Sequence, residues 1–216
     1  MLQPLMNVLK TKRIILASGS PRRKQILTNI GLKFEIESSS FEENLDKSLF
    51  PEPPQYAVEN AFQKTMEVAR RLSSDPNPPD LLIGADTIVT MDGVIYEKPR
   101  DEEDAFNMLS RFSGRQHTVY TGLVLATPES NPGPNGDKFR VSKFYESTDV
   151  IMAQMTPELI RQYIATGEPM DKAGGYGIQG LGGTLVAGIK GDYFNVMGFP
   201  LHRFAKELVQ IYESKK

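Results

Sequence analysis

Two arginines follow a serine-containing turn near the start of the chain, in the sequence SGSPRR at positions 18–23. An apolar run precedes this turn and a helical pattern follows it, so we expect a strand, a turn and a helix, with Ser20 as N-cap and Pro21 as the first helical residue. The helix macrodipole disfavours cations at this end by roughly 0.3–1 kcal/mol. A phosphate here would be bound by free N–H groups, the dipole and both guanidinium groups. The alternative is that Arg22 and Arg23 are solvated surface residues.

Acidic residues that could hold a hard metal ion occur in two places. Asp86 comes directly after an apolar run over 81–85 that predicts a buried strand, and ligands of α/β sheets bind beyond the carboxyl ends of strands. Glu42 and Glu43 lie in a loop predicted over 38–54. The alternative for Asp86 is an aspartate that only forms a turn.

Two lysines are further candidate cations. Lys98 precedes Pro99, so it lies on extended chain and could point its charge into a cleft, whereas the alternative is a solvated lysine at the end of a hairpin. Lys64 lies in the middle of a predicted helix, off its apolar stripe, and this pattern predicts a solvated side chain.

Glycines are dense near the end of the chain, and positions 175–180 match the pattern G-x-G-x-x-G. A dinucleotide site is not indicated, because no strand precedes the pattern, Gly182 and Gly183 follow where a helix should open, and no acidic residue lies about 20 positions on. A phosphate-binding P-loop pattern is also absent from the sequence. The segment still predicts a flexible loop whose backbone can approach a ligand.

Together these residues favour one kind of chemistry. The chain combines cations for phosphate, carboxylates for a metal ion and a glycine-rich loop, and it offers no obvious protein nucleophile. This combination indicates metal-assisted attack of water on a phosphorus centre.

The elements that must position these residues alternate along the chain, which predicts an α/β protein with a mixed sheet and two lobes. Strands are predicted over 14–17, 34–37, 81–85, 88–91, 94–96, 119–126 and 185–190, and the pattern over 138–152 predicts one long strand or a bent pair. Helices are predicted over 21–30, 56–72, 101–112, 156–166 and 200–212. Asp92 and Gly93 predict a two-residue hairpin, and 128–137 predict a loop.

Composition narrows the class of protein. The 216 residues have 39% hydrophobic and 24% charged residues, as in ordinary globular proteins, and a net charge of −2 that does not favour nucleic acid. The lack of cysteine excludes disulfides and thiol catalysis, and with two histidines a metal site would use oxygen ligands. No segment reaches the roughly 18 apolar residues of a membrane span. We therefore expect a cytoplasmic protein with no membrane or nucleic-acid partner.

Four motifs in this order and spacing resemble the Maf family of nucleotide pyrophosphatases. They are SGSPRR at 18–23, GADTIV at 84–89, EKPR at 97–100 and DKAGGYGIQG at 171–180. The resemblance covers residues 13–212, so we expect an N-terminal extension over 1–12 and one Maf-like domain over 13–216. The chain is also similar to the Maf-like N-terminal domain of the eukaryotic acetylserotonin methyltransferase-like protein, but we expect no methyltransferase domain in these 216 residues.

The resemblance implies a function and a fold. Members of the family hydrolyse nucleoside triphosphates to monophosphate and pyrophosphate with Mg²⁺ or Mn²⁺. Their mixed α/β fold, related to that of inosine triphosphate pyrophosphatases, has two lobes around a central cleft, and homodimers are usual. A nucleoside triphosphate, dTTP or UTP in the matching branch, is thus the expected partner.

The resemblance also implies roles for individual residues. Asp86, Lys98 and Glu42 are the expected catalytic residues, and Asp86 and Glu43 the expected metal ligands. Ser18, Arg22, Arg23, Lys64, Thr87 and Gln179 are the expected substrate-binding residues, and the last two mark the branch that prefers dTTP and UTP. Which of the two glutamates acts stays open, because the loop allows a slip of one residue.

A second class of function remains possible on sequence grounds. The chain could be a regulatory module that binds nucleotide, or a cell-division protein, without turnover. Every catalytic position of the family is filled, which favours the enzyme.

Overall fold

We describe residues 2–129 and 138–213 of a computed structural model. The strands are β1 (Ile14–Leu16), β2 (Glu35–Ile36), β3 (Leu81–Met91), β4 (Val94–Tyr96), β5 (Gln116–Pro128), β6 (Phe139–Met152) and β7 (Val186–Gly191). The helices are α1 (Gln3–Leu9), α2 (Pro21–Asn29), α3 (Pro53–Leu72), α4 (Glu102–Phe112), α5 (Pro157–Ile164), α6 (Tyr193–Val196) and α7 (Leu201–Glu213). Short 3-10 helices span Lys47–Leu49, Glu168–Asp171, Ala173–Gly175 and Leu181–Leu185.

In this part of the chain, seven strands form one mixed sheet in the order β2-β1-β3-β5-β6-β7, with β4 paired to β3. β1 runs parallel to β2 and β3, whereas β4 is antiparallel to β3 and β7 is antiparallel to β6. The predicted mixed α/β class is confirmed.

The chain divides into two compact units, which agrees with the prediction of two lobes. The first unit is Met1–Asp86, Gly122–Tyr145 and Leu201–Lys216, and the second is Thr87–Thr121 and Glu146–Pro200. No helix of the described residues has the length and apolarity to span a membrane.

In the first unit, α3 packs very closely on the sheet. A Cβ atom at Gly84 of β3 would overlap the Oγ1 atom of Thr65, and one at Gly122 of β5 would lie 2.5 Å from the backbone nitrogen of Val58. Only glycine therefore fits at these two strand positions, and the axis of α3 is fixed against β3 and β5. The same unit holds α1, which buries Leu5 and Leu9.

In the second unit, α4 and α5 pack around one apolar cluster. The cluster includes Val89, Leu109, Phe112, Val119 and Ile160. The hairpin between β3 and β4 has the predicted two-residue turn, since Met91 pairs with Val94 and both Asp92 and Gly93 have positive φ.

Most predicted elements are confirmed, two expectations need correction, and one helix was not predicted. The predicted strands over 81–85 and 88–91 form one continuous strand, β3, because β3 also pairs with β5 in the sheet and this tertiary pairing overrides the weak strand propensity of aspartate. α6 was not predicted. Ser20 takes the N-cap position of α2, but its side chain makes no capping hydrogen bond. Residues 130–137 of the predicted loop lie outside the described residues.

Candidate active site

A lysine of the first unit lies between two carboxylates. Lys64 Nζ lies 2.8 Å from Oδ1 of Asp86 and 2.6 Å from Oε2 of Glu43. The side chains of Lys64 and Asp86 are only 13% and 12% exposed, whereas that of Glu43 is 45% exposed. The pattern-based prediction of a solvated Lys64 is therefore wrong.

The local structure explains how Asp86 faces Lys64. Side chains two residues apart lie on the same face of a strand, so Asp86 shares a face with Gly84, the residue against which α3 packs. On the other side of Gly84, β1 stops pairing with β3 at Ile83, where Ala17 donates its N–H to the carbonyl of Ile83. Asp86 thus lies in the interior of its own strand but past the carboxyl end of the neighbouring parallel strand.

Burial changes the proton affinity of Asp86. Desolvation raises the pKa of its carboxyl group, and the positive charges of Lys64 and Arg23 offset part of this rise. Asp86 is therefore a stronger proton acceptor than an exposed aspartate, and it is held next to the cation that neutralises it.

The turn that follows β1 presents a second polar cluster. Ser18 is buried, and its Oγ atom accepts hydrogen bonds from Nη1 of Arg23 at 2.9 Å and from the backbone N–H of Ser20 at 3.3 Å. Burial, together with the nearby charge of Arg22, lowers the pKa of Arg23 to about 10, although Asp86 and Glu43 act in the opposite direction. Arg23 remains charged at neutral pH, and an anion bound at this turn would stabilise it.

The two glutamates of the predicted loop differ in their contacts. Glu43 reaches Lys64, as described above, whereas Glu42 is exposed and its backbone carbonyl accepts from the N–H of Asn44 at 2.9 Å. The structure therefore brings Glu43, Lys64 and Asp86 together and leaves the Glu42 carboxylate facing solvent.

Three further candidates belong to the second unit. Thr87 Oγ1 lies 3.0 Å from Oγ1 of Thr121, whose hydroxyl donates to the backbone carbonyl of Asn195 at 3.0 Å. Lys98 and Gln179 are both exposed. Sequence reasoning did not find Thr121 or Asn195, since a threonine inside a strand and an asparagine in a short helix carry no signal of their own.

The first unit offers a divalent cation two carboxylates, those of Asp86 and Glu43. Within residues 2–129 and 138–213, no group of three or more His, Asp or Glu side chains could hold a metal ion. Mg²⁺, however, is usually bound through one or two carboxylates together with substrate phosphates and water. The pair of Asp86 and Glu43, adjacent to the arginines of the turn, fits that mode of binding.

The fold and these motifs belong to a known family. The family model described as "Maf-like protein" matches residues 13–211, and this chain belongs to that family. The resemblance inferred from the four motifs is confirmed.

Relatives of the chain carry names that indicate an activity. The chain is 52% identical over 210 residues to the human "Probable bifunctional dTTP/UTP pyrophosphatase/methyltransferase protein", a match that covers 97% of this chain and 34% of the human protein. It thus spans about a third of that relative. It is 45% identical to the dTTP/UTP pyrophosphatase of Clostridium perfringens strain 13, over 91% of this chain and 95% of the relative. It is 44% identical to the dTTP/UTP pyrophosphatase of Gloeobacter violaceus, over 88% of this chain and 92% of the relative.

Proposed function

We propose that this protein hydrolyses dTTP and UTP to the nucleoside monophosphate and pyrophosphate. The observation that carries the proposal is the buried contact of Lys64 with Asp86, beside Glu43 and the arginines of the 18–23 turn. Relatives named dTTP/UTP pyrophosphatase, which this chain matches over most of their length, support the same activity.

The turn after β1 supplies the binding site for the triphosphate. Arg22 and Arg23 lie in the first turn of α2, the end of the helix at which the dipole also favours an anion. Ser18 accepts a hydrogen bond from the Arg23 guanidinium, so that this guanidinium is oriented before the substrate binds. Lys98, in the second unit, is proposed as a catalytic residue on the family resemblance alone.

Asp86 acts on the attacking water. The water oxygen forms a bond to the α-phosphorus, the bond from that phosphorus to the oxygen shared with the β-phosphate breaks, and pyrophosphate leaves with the electron pair. Asp86 accepts the proton that the water loses, which its raised pKa favours. Lys64 keeps the carboxylates of Asp86 and Glu43 fixed in place.

A divalent cation, Mg²⁺ or Mn²⁺, would be held by Asp86 and Glu43. When bound, it supplies Lewis-acid stabilisation of the negative charge on the phosphate oxygens. Glu42, the other candidate of the loop, takes no part in this assignment because its carboxylate does not reach Lys64.

Thr87 and Gln179 are proposed to contact the base. A hydroxyl and an amide can each donate and accept hydrogen bonds, which suits the alternating donors and acceptors of a pyrimidine edge. This assignment follows the resemblance and the names of the relatives.

The test is a product assay. Pyrophosphate and monophosphate should appear when dTTP or UTP is added with Mg²⁺ or Mn²⁺, and activity should vanish with EDTA and return with excess metal. Orthophosphate as the first product, equal rates for dTTP and GTP, or turnover that survives exhaustive chelation would contradict the proposal. Nucleotide binding without any product would support the non-catalytic regulator instead.

Two properties of the whole molecule belong to the same proposal. A homodimer is expected from the resemblance and from the frequency of two-fold pairing among soluble oligomers, and light scattering at micromolar concentration tests it. A cytoplasmic location is proposed because the chain lacks cysteine.

A further inference from the structure

One carboxylate of the second unit is surrounded by hydrogen-bond donors from a single loop and a neighbouring helix. Glu168 Oε1 accepts from the hydroxyl of Tyr163 and from the N–H of Gly182, and its Oε2 accepts from the N–H of Leu181, each at 2.9 Å. These bonds outweigh the effect of burial, so that the pKa of Glu168 is lowered. At neutral pH the group is an anion whose two oxygens only accept.

The loop is shaped to fit this side chain. A Cβ atom at Gly180 would lie 2.5 Å from Oε2 of Glu168, and one at Gly177 would lie 2.5 Å from Cε of Lys172. The side chains of Glu168 and Lys172 thus occupy the space that larger residues of the loop would need. Lys172 is itself fixed, because its Nζ donates to the backbone carbonyl of Glu168 at 2.6 Å.

Gln179 lies in the stretch between these fixed points. Before it, the N–H of Gly177 donates to the hydroxyl of Tyr163 at 3.2 Å, and the hydroxyl of Tyr176 lies 2.7 Å from Nε2 of the buried His117. After it, the chain is held by Glu168. The exposed Gln179 side chain therefore projects from a turn that is bonded to the rest of the unit on both sides.

We infer that Glu168 is a positioning residue for Gln179, and that through it Glu168 sets the preference for a pyrimidine base. The inference rests on the proposed function, in which Gln179 contacts the base. Hydrogen-bond selectivity depends on the placement of the amide, and a loop that moved freely would offer donors and acceptors to any base. Charge-assisted bonds to backbone N–H groups are strong enough to hold one loop conformation.

A double-mutant cycle tests the inference. Glu168→Gln keeps the size of the side chain but places an NH₂ group against a backbone N–H, so at least one loop bond is lost. Gln179→Ala should lower the ratio of kcat/KM for dTTP over GTP about 10-fold, and Glu168→Gln should lower it about 5-fold. Because both changes act through the same amide, the double variant should match Gln179→Ala alone.

Controls separate positioning from stability. Glu158→Gln changes an exposed glutamate of the same unit that accepts from Gln162, and it should leave the ratio unchanged. If Glu168→Gln melts too low to assay, Tyr163→Phe removes one donor to Glu168 and should lower the ratio in the same direction. A loss of rate that is equal for all nucleotides, or losses of the ratio that add in the double variant, would overturn the inference.

A measurement without substrate distinguishes this inference from the proposed activity. Amide hydrogen exchange at Leu181 and Gly182 should be at least about 10-fold faster in Glu168→Gln than in the wild type. Unchanged exchange would overturn the role of Glu168 even in an active enzyme. Faster exchange in a protein that hydrolyses no nucleotide would show that the loop is held as described and that the proposed function, and with it the link to base choice, is wrong.

Discussion

The ammonium group of Lys64 donates to Oδ1 of Asp86 across 2.8 Å, from the middle of a helix to the interior of a strand. Both side chains are almost fully removed from solvent, so each charge is stabilised in part by the other. A buried pair of this kind adds little to stability, since desolvation costs about as much as the attraction returns. Its presence is better explained by chemistry at the carboxylate.

Asp86→Asn should therefore keep the fold and lose roughly 10²–10⁴-fold in kcat, because the variant lacks the negative charge and the proton acceptor. Lys64 retains Glu43 as a partner, so the melting temperature should change little. Asp80→Asn is the matched control, since Asp80 contacts Lys12 at 3.0 Å outside the site. Retention of more than about a third of the wild-type rate would show that Asp86 is not catalytic.

Replacing Glu42 and Glu43 one at a time by glutamine should affect the metal requirement of the reaction unequally. Glu43→Gln removes a carboxylate that lies 2.6 Å from Lys64, and it should raise the metal concentration needed for half-maximal rate. Glu42→Gln should raise that metal concentration clearly less, because the Glu42 carboxylate does not reach that cluster. Metal titrations of both variants decide the matter, and a larger effect for Glu42→Gln would assign the loop role to Glu42.

Arg23→Ala should weaken the binding of triphosphate without lowering stability much. Burial lowers the pKa of Arg23 to about 10, which means that its charge is costly in the protein without an anion. Removing the Arg23 guanidinium should raise KM for dTTP about 10-fold or more, since its charge-assisted hydrogen bonds to the phosphates are lost. Lys24→Ala, at an exposed neighbour, is the control. A strong fall in melting temperature for Arg23→Ala alone would identify a structural role.

The sequence predicted the fold better than it predicted the contacts of the site. Helix α3 and most strands follow from apolar periodicity, since burial of one face decides them. Periodicity could not show what an off-stripe lysine faces, because Glu43 and Asp86 reach Lys64 from a loop and a strand some twenty residues away on either side. The family resemblance, and not the apolar pattern, pointed to Lys64.

Other features left no local signal at all. The Glu168 carboxylate accepts from the backbone N–H groups of Leu181 and Gly182, thirteen and fourteen residues later, and no residue type marks such donors. The continuity of β3 through Asp86 was missed for a similar reason, because its pairing with β5 joins residues far apart in the sequence. The missed helix α6 did carry a signal, since Asp192 caps it by accepting from the N–H of Phe194.

Stability should fall in mild acid through His117. Burial lowers the pKa of His117 from 6.5 to about 4, and its Nε2 lies 2.7 Å from the Tyr176 hydroxyl. The unfolded chain binds the proton first as pH falls, so stability is complete above pH 6.5 and is lost between 6.5 and about 4, by about 3 kcal/mol at most.

His117→Gln should remove this part of the pH dependence. Urea unfolding of both proteins between pH 4 and 8 should show a smaller acid loss in the variant, since contributions from carboxylates are common to both. His202→Gln, at an exposed histidine, should follow the wild type. Parallel curves for wild type and His117→Gln would contradict the shifted pKa.

Base choice should also depend on the hydroxyl pair of Thr87 and Thr121. Thr121 uses its single proton on the carbonyl of Asn195, so the hydrogen bond between the two hydroxyls must be donated by Thr87. The oxygen of Thr87 can then only accept further hydrogen bonds.

Thymine and uracil present an N3–H donor to such an acceptor, whereas the N3 atom of cytosine is itself an acceptor. Thr121→Val would remove this partner of the Thr87 hydroxyl, and the ratio of kcat/KM for dTTP over dCTP should fall roughly 5- to 10-fold. Thr90→Val, at a buried threonine three residues further along β3, should leave that ratio unchanged. An equal ratio in Thr121→Val and wild type would show that the direction of the Thr87 hydroxyl does not select the base.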